Sequence, residues 1–406
     1  MDFLKFLNYA VTPYHTVDAL RRIFAPSSGK KGKLDIFERG GALIAVRKPE
    51  KVVAGSRFRI ALAHTDFPTL KITPNPDLVA AGIHTLHPEV YGSPIYTSWL
   101  DRDLGYAGLL AYEMDGKIQT KLFRGDKFVR IPQLAVHLNR GVNQDGLKVN
   151  PQTDLNALWT SCDGAKFVDA LQREVPAGGK LLDFDVQLFD AQEAQLGGLE
   201  DEWVYSGRLD NLSSSHAVAE AMANAENLET DFVVAAFFNN EEVGSATREG
   251  AGGNFLKSVL ETSLRGSGAT EAIHLDSMLA ESLALSIDMA HAEHPNFTQK
   301  HDVNHAPILG KGVVLKTNSQ KRYASDVFSN AQFKLLCEQS NVPYQTFVMR
   351  NDMPCGSTVG PTISSSLGIP TVDIGEPMLS MHSIREMTAV KDHESMTRLV
   401  SAFFAR

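Results

Sequence analysis

The sequence of 406 residues contains only three cysteines, Cys162, Cys337 and Cys355. No two of them form a Cys-X-X-Cys pair, so the chain has neither the framework of a disulfide-rich domain nor a thiolate zinc site. A Gly-X-Ser-X-Gly segment is also missing, which argues against a serine hydrolase with a nucleophile elbow. The low cysteine count favours a reducing compartment.

Positive charge is scarce, with 39 Lys and Arg against 48 Asp and Glu, so the net charge is −9. Nucleic acids and anionic membranes are bound mainly by Lys and Arg, so neither is expected as a main partner. Apolar runs are short as well: FVVAAFF at 232–238 is far below the roughly 20 residues of a spanning helix. The amino-terminal apolar stretch is interrupted by Asp2, Lys5 and Asn8. We therefore expect a cytoplasmic protein that acts on a small ligand.

What the chain does contain is the composition of a well-packed soluble protein, with 43% hydrophobic and 21% charged residues. Its length fits two or three domains. Four apolar runs each end in acids, amides or histidine. They are FRIALA (58–63), VVAAFF (233–238), SLALSI (282–287) and IPTVDI (369–374). Such runs predict strands that are buried on both faces of a largely parallel sheet.

Helical patterns alternate with these strands, at 211–228, 326–340 and 388–404. The alternation predicts an α/β fold with a doubly wound, mostly parallel sheet. In such sheets ligands bind at the carboxyl ends of the strands, which is where the acids and histidines stand.

Residues 68–193 have a different pattern, with alternating, turn-punctuated runs and few helical stretches. The runs are LLAYEMDG, IQTKLFRG, FVRIPQLAVHL and LLDFDVQLFD. They predict a β-rich inserted domain within a discontinuous catalytic domain made of 1–67 and 194–406. The segment SSGKKGKL at 27–34 is interpreted as a solvated basic loop.

The first candidate for chemistry is the segment His64-Thr65-Asp66, which follows a predicted strand. Residues two apart on a strand face the same way, so Asp66 can accept from one imidazole nitrogen while the other binds a metal. A histidine hydrogen-bonded to a nearby acid is the simpler alternative.

The adjacent acids Glu241 and Glu242 follow the run FVVAAFF. Two carboxylates at a buried strand end repel each other unless a cation or a shared proton neutralises them. One carboxylate then binds the metal and the other acts on the water. The alternative is a solvated pair that opens a loop.

Three further residues are candidate ligands, each with its own alternative. Asp210 precedes a predicted helix and is either a ligand or an N-cap. Asp288 closes a buried strand, where an acid is costly unless it is paired or metal-bound. His382 is either a ligand or a hydrogen-bonded core histidine.

Taken together, the five candidate ligands are two imidazoles and three carboxylates, namely His64, Asp210, Glu242, Asp288 and His382. This set suits two divalent ions, zinc first and manganese or cobalt next. If one carboxylate bridges, each ion has three protein ligands and an open position for water.

Seven motifs in order along the chain resemble the aspartyl aminopeptidase family of dinuclear zinc peptidases. They are AHTDFPTLKI, SGRLDNLSSS, NNEEVGSATREGA, SIDMAHAEHPN, KTNSQKRYA, RNDMPCGSTVGPTISSSLGIPTVDIG and MHSIREM. The inserted segment is similar too, through YGSPIYTSWLDRDLGYAG and RIPQLAVHLNR.

The resemblance implies a role for each matching residue. One zinc is held by His64, Asp210 and Asp288. Asp210 bridges to a second zinc held by Glu242 and His382. The resemblance further implies that Glu241 is the general base and that Asp66 orients His64.

Substrate recognition is implied by the resemblance at two further positions. Lys316 contacts an acidic substrate side chain, and His137 of the inserted domain reaches a neighbouring subunit's active site and steadies the reacting carbonyl. The alternatives are a surface lysine and a structural histidine in a strand. The resemblance also implies a dimerisation or lid role for the insertion and a homo-oligomer in the form of a tetrahedral dodecamer. Loops that are short for the family, around 27–34, 145–180 and 265, bear on the subunit contacts.

A histidine group lies just beyond Asp288, consisting of His291, His294, His301 and His305. We expect local hydrogen bonding there rather than a separate metal site, with His291 lining the substrate pocket.

The expected function is removal of an amino-terminal Asp or Glu from peptides by a water that two zinc ions activate, with Glu241 as base. One alternative is a related dinuclear enzyme, such as a glutamyl or leucyl aminopeptidase or a carboxypeptidase-like deacylase. A non-catalytic assembly or cargo protein with the same fold is another.

Overall fold

A computed structural model describes residues 1–25, 33–268 and 273–406, so most of the predicted basic loop at 27–34 lies outside the described residues. The helices are α1 (Phe3–Tyr9), α2 (Pro13–Phe24), α3 (Val142–Asp145), α4 (Phe167–Glu174), α5 (Leu209–Asn224), α6 (Phe255–Arg265), α7 (Leu275–Ala280), α8 (Val327–Ser340), α9 (Val359–Leu367) and α10 (Val390–Phe404).

The strands are β1 (Leu34–Arg39), β2 (Ala42–Arg47), β3 (Phe58–His64), β4 (Thr69–Ala80), β5 (Ile83–Tyr91), β6 (Asp103–Met114), β7 (Lys117–Arg124), β8 (Val129–Arg130), β9 (Ala157–Thr160), β10 (Lys180–Asp190), β11 (Gln195–Gly197), β12 (Trp203–Ser206), β13 (Phe232–Phe238), β14 (Leu283–Ile287), β15 (Ala290–His291), β16 (Val313–Thr317), β17 (Tyr344–Val348), β18 (Thr371–Gly375), β19 (Pro377–Leu379) and β20 (Glu386–Ala389).

Contacts divide the chain into two compact units. The first comprises Met1–Phe67, Ala194–Met381 and Glu386–Arg406. The second comprises Pro68–Glu193 and the short segment His382–Arg385.

The first unit contains an eight-stranded sheet with the strand order β1-β2-β13-β3-β14-β18-β16-β17. The strands β13, β3, β14 and β18 run parallel to one another, and β16 is parallel to β17. The pairings of β1 with β2, of β2 with β13 and of β16 with β18 are antiparallel. The sheet is therefore mixed with a parallel centre, and the α/β class is confirmed.

Helices pack on both faces of this sheet. In β13 every residue of FVVAAFF is buried, and alternate side chains point to opposite faces. Val233 and Ala235 belong to a core that includes residues of α1, α2, α5, α8 and α10. Val234 and Ala236 belong to another core, with residues of α6, α7 and α9. A strand covered on both sides needs apolar residues throughout, which explains the uninterrupted run.

The predicted helices are present with shifted ends, as α5, α8 and α10. Helix α8 begins with a capping box, in which Asp326 and Ser329 each accept a hydrogen bond from the other's backbone N–H. In α5 the backbone of Asp210 and Asn211 is non-helical, and a kink there separates them from the regular part of the helix. The N-cap alternative for Asp210 stays a prediction.

A five-stranded sheet with the order β11-β12-β20-β19-β15 also belongs to the first unit. Across both units, none of the helices formed by the described residues is long and apolar enough to span a membrane.

The second unit is rich in strands, as its alternating pattern predicts. Its sheet has the order β10-β4-β5-β9-β8-β6-β7, and β10 also pairs with β6, which closes six strands into a ring. Helix α4 contributes Phe167 and Leu171 to the apolar core of this unit.

One predicted strand of the insertion, FVRIPQLAVHL, is largely wrong. Only Val129–Arg130 forms a strand, and Val136–Leu138 is a 3-10 turn. Pro132 cannot donate a ladder hydrogen bond, and all side chains at 132–138 are exposed, so neither pairing nor burial supports a strand. His137 thus lies in an exposed turn and not in a strand.

Candidate active site

His64 is the last residue of β3 and is buried. Its Nδ1 lies 3.0 Å from the backbone oxygen of Asp66, so a proton on Nδ1 makes a hydrogen bond to that oxygen. The other ring nitrogen, Nε2, is then unprotonated and can bind a metal. Nε2 lies 3.5 Å from Asp210 Oδ1, 3.6 Å from Asp288 Oδ1 and 4.0 Å from Glu241 Oε2. One imidazole nitrogen therefore faces three carboxylates.

The topology explains why these side chains meet. Strands β13, β3 and β14 are parallel neighbours, so their carboxyl ends lie at the same edge of the sheet. His64 ends β3, Asp288 follows β14, and Glu241 opens a 3-10 turn soon after β13. Asp210 comes from the first turn of α5, and its backbone N–H donates to Glu386 Oε2 at 3.2 Å.

The donor atoms of His64, Asp210 and Glu242 all lie within 4.8 Å of one another. With the carboxylate of Asp288 beside His64, the group combines imidazole nitrogen with carboxylate oxygen, which is the donor set of catalytic zinc sites. Buried carboxylates this close repel one another unless a cation neutralises them. These residues fit a divalent metal.

Asp66 contributes more than its expected contact with His64. Its carboxylate is 3.5 Å from His64 Nδ1, farther than its own backbone oxygen. The two carboxylate oxygens instead accept the backbone N–H groups of Glu241 at 3.1 Å and of Glu242 at 3.2 Å. Asp66 thus holds the adjacent glutamates in place. Sequence reasoning missed this role because it depends on a turn that presents two consecutive N–H groups.

Two groups at the site have perturbed pKa values. Burial opposes protonation of His64, but hydrogen bonds to the carboxylates of Asp210, Asp288 and Asp66 raise its pKa well above 6.5. Burial, reinforced by the neighbouring aspartates and opposed by His64, raises the pKa of Glu241 to about 8. Both shifts mean that the metal-free site retains protons at neutral pH.

Lys316 lies in β16 and is 2% exposed, so the alternative of a surface lysine is wrong. Its Nζ donates to the backbone oxygens of Asp288 at 3.0 Å and Met289 at 3.1 Å. Nζ also lies 3.9 Å from Asp288 Oδ2 and 5.2 Å from the centre of the Tyr323 ring. The ammonium group is therefore held beside one of the candidate ligands.

His291 lines a cavity of about 220 Å³ together with Phe347 and three methionines, Met349, Met353 and Met378. Its ring meets that of Phe347 edge-on, with 5.8 Å between the centroids.

The other histidines of this group form local hydrogen bonds, as expected. The backbone N–H of His294 donates to His301 Nε2 at 3.1 Å, and His305 Nδ1 lies 2.7 Å from Asp302 Oδ1.

The remaining two candidates belong to the second compact unit. His382 has Nδ1 at 3.1 Å from the backbone oxygen of Ser93, and His137 is exposed in its turn. Their assignments to the metal and to a neighbouring subunit's site stay predictions.

The family of the chain follows from comparison with known proteins. The family described as aminopeptidase I zinc metalloprotease (M18) matches residues 6–404. The chain belongs to the M18 family. The resemblance to aspartyl aminopeptidases is thereby confirmed, and the protein is a zinc metalloaminopeptidase, a hydrolase of the exopeptidase class.

Curated M18 relatives match the chain over nearly its whole length. The "Probable M18 family aminopeptidase 2" of Pseudomonas aeruginosa is 38% identical and covers 99% of this chain and 97% of its own. The protein of the same name from Streptomyces avermitilis is 39% identical, with 99% and 96% covered.

Solved structures of the family are similar as well. The chain matches a cryo-EM structure of the Ape4 and Nbr1 complex with a TM-score of 0.92 and 33% identity, over 99% of this chain and 84% of that one. It matches the mApe1 dodecamer of Saccharomyces cerevisiae with a TM-score of 0.85 and 27% identity, over 99% and 95%.

Proposed function

We propose that this M18 protein is a dinuclear zinc aminopeptidase that removes an amino-terminal Asp or Glu from peptides, with Glu241 as general base. The observation that carries the proposal is the convergence of carboxylates from Asp210, Glu241 and Asp288 on Nε2 of His64. A buried group of this composition is balanced by divalent cations and has little other use in a protein core.

In this proposal His64, Asp210 and Asp288 would hold one zinc ion, and Glu242 and His382, together with Asp210, would hold the second. Manganese or cobalt are the expected substitutes. Zinc bound here would supply Lewis acidity and lower the pKa of a water molecule towards neutrality.

Glu241 moves the proton. Its Oε2 is within 4.0 Å of His64 Nε2, and its backbone is fixed by Asp66, so the carboxylate is held at the metal group. Glu241 takes a proton from the attacking water and delivers it to the leaving amine nitrogen, which makes one residue both base and acid.

Lys316 selects the substrate side chain. Two of the three N–H groups of its ammonium donate to backbone oxygens, which fixes Nζ and leaves one N–H and the charge for a substrate carboxylate. His291 lines a cavity together with Phe347, which is paired with Lys316 between β16 and β17, and in this proposal His291 contributes to substrate binding.

The inserted residues 68–193 serve as a dimerisation or lid domain, and the subunits assemble as a homo-oligomer, a tetrahedral dodecamer. The dodecamer of mApe1 supports this assembly. His137 reaches a neighbouring subunit's active site and donates to the reacting carbonyl. The exposed apolar side chains of Leu134, Val136 and Leu138 around it support a contact surface.

The catalytic domain is proposed to be doubly wound, and the protein to be cytoplasmic. Helices on both faces of the eight-stranded sheet support the description of the catalytic domain as doubly wound. A cytoplasmic location is supported by the cysteines, none of which forms a disulfide.

The variant Glu241→Gln tests the proposal. It keeps the shape of the side chain and removes the base, so we expect the zinc content to persist while kcat falls by about 10² to 10⁴. The exposed Glu338→Gln is the matched control and should be fully active. A Glu241→Gln enzyme that contains zinc and remains fully active would contradict the role of Glu241 as general base.

A substrate panel separates the proposal from its alternatives. Anilides of Asp, Glu and Leu, with carboxy-terminally directed substrates beside them, distinguish an acidic aminopeptidase from related enzymes of other specificity. A protein that binds no zinc and cleaves none of them is an assembly or cargo protein instead.

A further inference from the structure

Asp373 is a buried acid that the mechanism above does not use. It lies in β18, between β14 and β16, and is 0% exposed. Its Oδ1 accepts the hydroxyl of Thr358 at 2.5 Å, and its Oδ2 accepts the backbone N–H of Ala324 at 2.6 Å. Its own N–H donates to Ser325 Oγ at 2.9 Å. An acid buried at the centre of a sheet is costly, so these bonds have to compensate for it.

The bonds from Asp373 end on the two segments that hold Tyr323. Ala324 and Ser325 directly follow Tyr323, whose ring lies 5.2 Å from Lys316 Nζ. Cys355, three residues before Thr358, packs against the apolar cluster that contains Tyr323. A single carboxylate therefore fixes both the backbone beside Tyr323 and the start of the helix that follows the Cys355 segment.

Thr358 and Gly360, at the start of α9, enclose the carboxylate of Asp373. Thr358 is the N-cap of α9, where its Oγ1 accepts the N–H of Gly360 at 3.2 Å. A Cβ at Gly360 would lie 2.4 Å from Asp373 Oδ2 and 2.6 Å from Oδ1, so only glycine leaves room for the carboxylate. Burial raises the pKa of Asp373, and the charge of Lys316 opposes this shift.

We propose that Asp373 is a positioning residue for the substrate side-chain pocket, which holds Tyr323 against Lys316 through its hydrogen bonds and thereby sets the preference for acidic substrates. This inference rests on the proposed role of Lys316. The hydrogen-bond partners of Asp373, which are Ala324, Thr358 and Ser325, are not among the proposed metal ligands, so Asp373 acts on the pocket and not on the reacting atoms.

Two substitutions separate the hydrogen bonds from the charge. Asp373→Ala leaves the Ala324 N–H and the Thr358 hydroxyl without their acceptor. Asp373→Asn keeps an oxygen for the Ala324 N–H, and the Thr358 hydroxyl can turn to accept from the amide. Rescue by Asn is therefore the signature of positioning by hydrogen bonds.

The experiment compares kcat/KM for Glu-terminated and Leu-terminated peptides in these variants, with zinc content measured alongside. For Asp373→Ala we expect about a tenfold loss on the Glu peptide, mostly in KM, and a change within about twofold on the Leu peptide. Asp373→Asn should return to within about threefold of the wild type. An equal loss on both peptides, or no rescue by Asn, would overturn the proposal.

A second pair of variants tests the positioning role of Asp373 if Asp373→Ala does not fold. Thr358→Val removes the hydroxyl at nearly constant shape, and Thr358→Ser keeps it. We expect Val to reduce the Glu-to-Leu ratio by about threefold and Ser to leave it unchanged. Equal ratios in the two variants would reject the role.

Lys316→Met, measured in parallel, separates this inference from the proposed function. If the wild type does not prefer acidic substrates, or if Lys316→Met affects both peptides equally, the proposed specificity fails. If Lys316→Met is selective while the Asp373 and Thr358 variants lower both rates equally, only the positioning role fails.

Discussion

Two buried groups of charge in the first unit differ in how they are balanced. The carboxylate cluster, which is His64, Asp210, Glu241, Glu242 and Asp288, sets four acids against one imidazole. The lysine pocket, which is Lys316, Tyr323, Thr358 and Asp373, sets one ammonium against one carboxylate, and the protein supplies hydrogen bonds to both.

The two groups need different partners to balance their charge. The carboxylate cluster needs cations from outside the protein, whereas the hydrogen bonds that hold Lys316 and Asp373 in the lysine pocket come from the protein itself. Asp288 links them, because its Oδ1 faces His64 while its backbone oxygen accepts from Lys316. Metal loss should therefore disable the first group, and hydrogen-bond changes should alter selectivity at the second.

Removal of metal is expected to have the largest effect. A chelator should lower peptide hydrolysis to background and also lower the melting temperature, because the carboxylates then repel without a counter-charge. Added zinc should restore both. The exposed Lys334→Met is the matched variant, and its response to the chelator should equal that of the wild type. Full activity in the presence of the chelator would show that the carboxylate cluster, like the lysine pocket, needs no metal.

Loss of the Asp66 carboxylate should come next. Asp66→Ala frees the backbone N–H groups of Glu241 and Glu242, so the base shifts and kcat should fall by about 10². Asp66→Asn keeps one acceptor and should lie between Ala and the wild type. Steady-state rates together with zinc content check this. An Asp66→Ala enzyme with wild-type kcat would show that the glutamates need no such support.

Lys316→Met should change selectivity rather than chemistry. It keeps the aliphatic stem and removes the charge, so kcat/KM should fall by about tenfold on Asp- and Glu-terminated peptides and stay within about twofold on Leu-terminated ones. The exposed Lys334→Met is the control and should behave as wild type. Equal losses on both peptide classes would reject the pocket.

The smallest expected effect is on the pH dependence of stability in the metal-free protein. The unfolded chain releases the proton of Glu241 near pH 4.5, whereas the folded chain keeps it to about pH 8. The folded chain also keeps a proton on His64 above pH 6.5, where the unfolded chain loses it. The unfolded state then binds fewer protons, so stability falls as the pH rises.

We expect the melting temperature of the chelated protein to drop by roughly 5 °C between pH 6 and pH 8.5. Glu241→Gln should flatten this slope. A melting temperature that rises over the same interval would contradict the assignment of the shifts.

The parts of the fold that rest on local pattern could be predicted from the sequence. FVVAAFF is predictable as a strand because both of its faces are covered by helices and therefore need apolar residues. Similar apolar runs precede His64 and Asp288, so both residues could be placed at strand ends. The segment at 129–138 could not, since alternation alone does not reveal that a proline and an exposed turn interrupt it.

The functions of buried acids were harder to predict than their positions. Asp373 lies within the run IPTVDI, whose apolar character predicts the strand but gives no sign of the partners Ala324 and Thr358, which are distant in sequence. The carboxylate of Asp66 is similar, because its partners are backbone groups of a turn about 175 residues away. Long-range hydrogen bonds of this kind leave no periodic signal in a sequence.

Anomalous scattering at the zinc edge, measured on crystals of the zinc-loaded protein, shows whether the first unit's carboxylate cluster binds two zinc ions. We predict two zinc peaks per chain, one at His64, Asp210 and Asp288 and the other at Glu242 and His382, with Asp210 shared. A single peak, or peaks away from these residues, would contradict it.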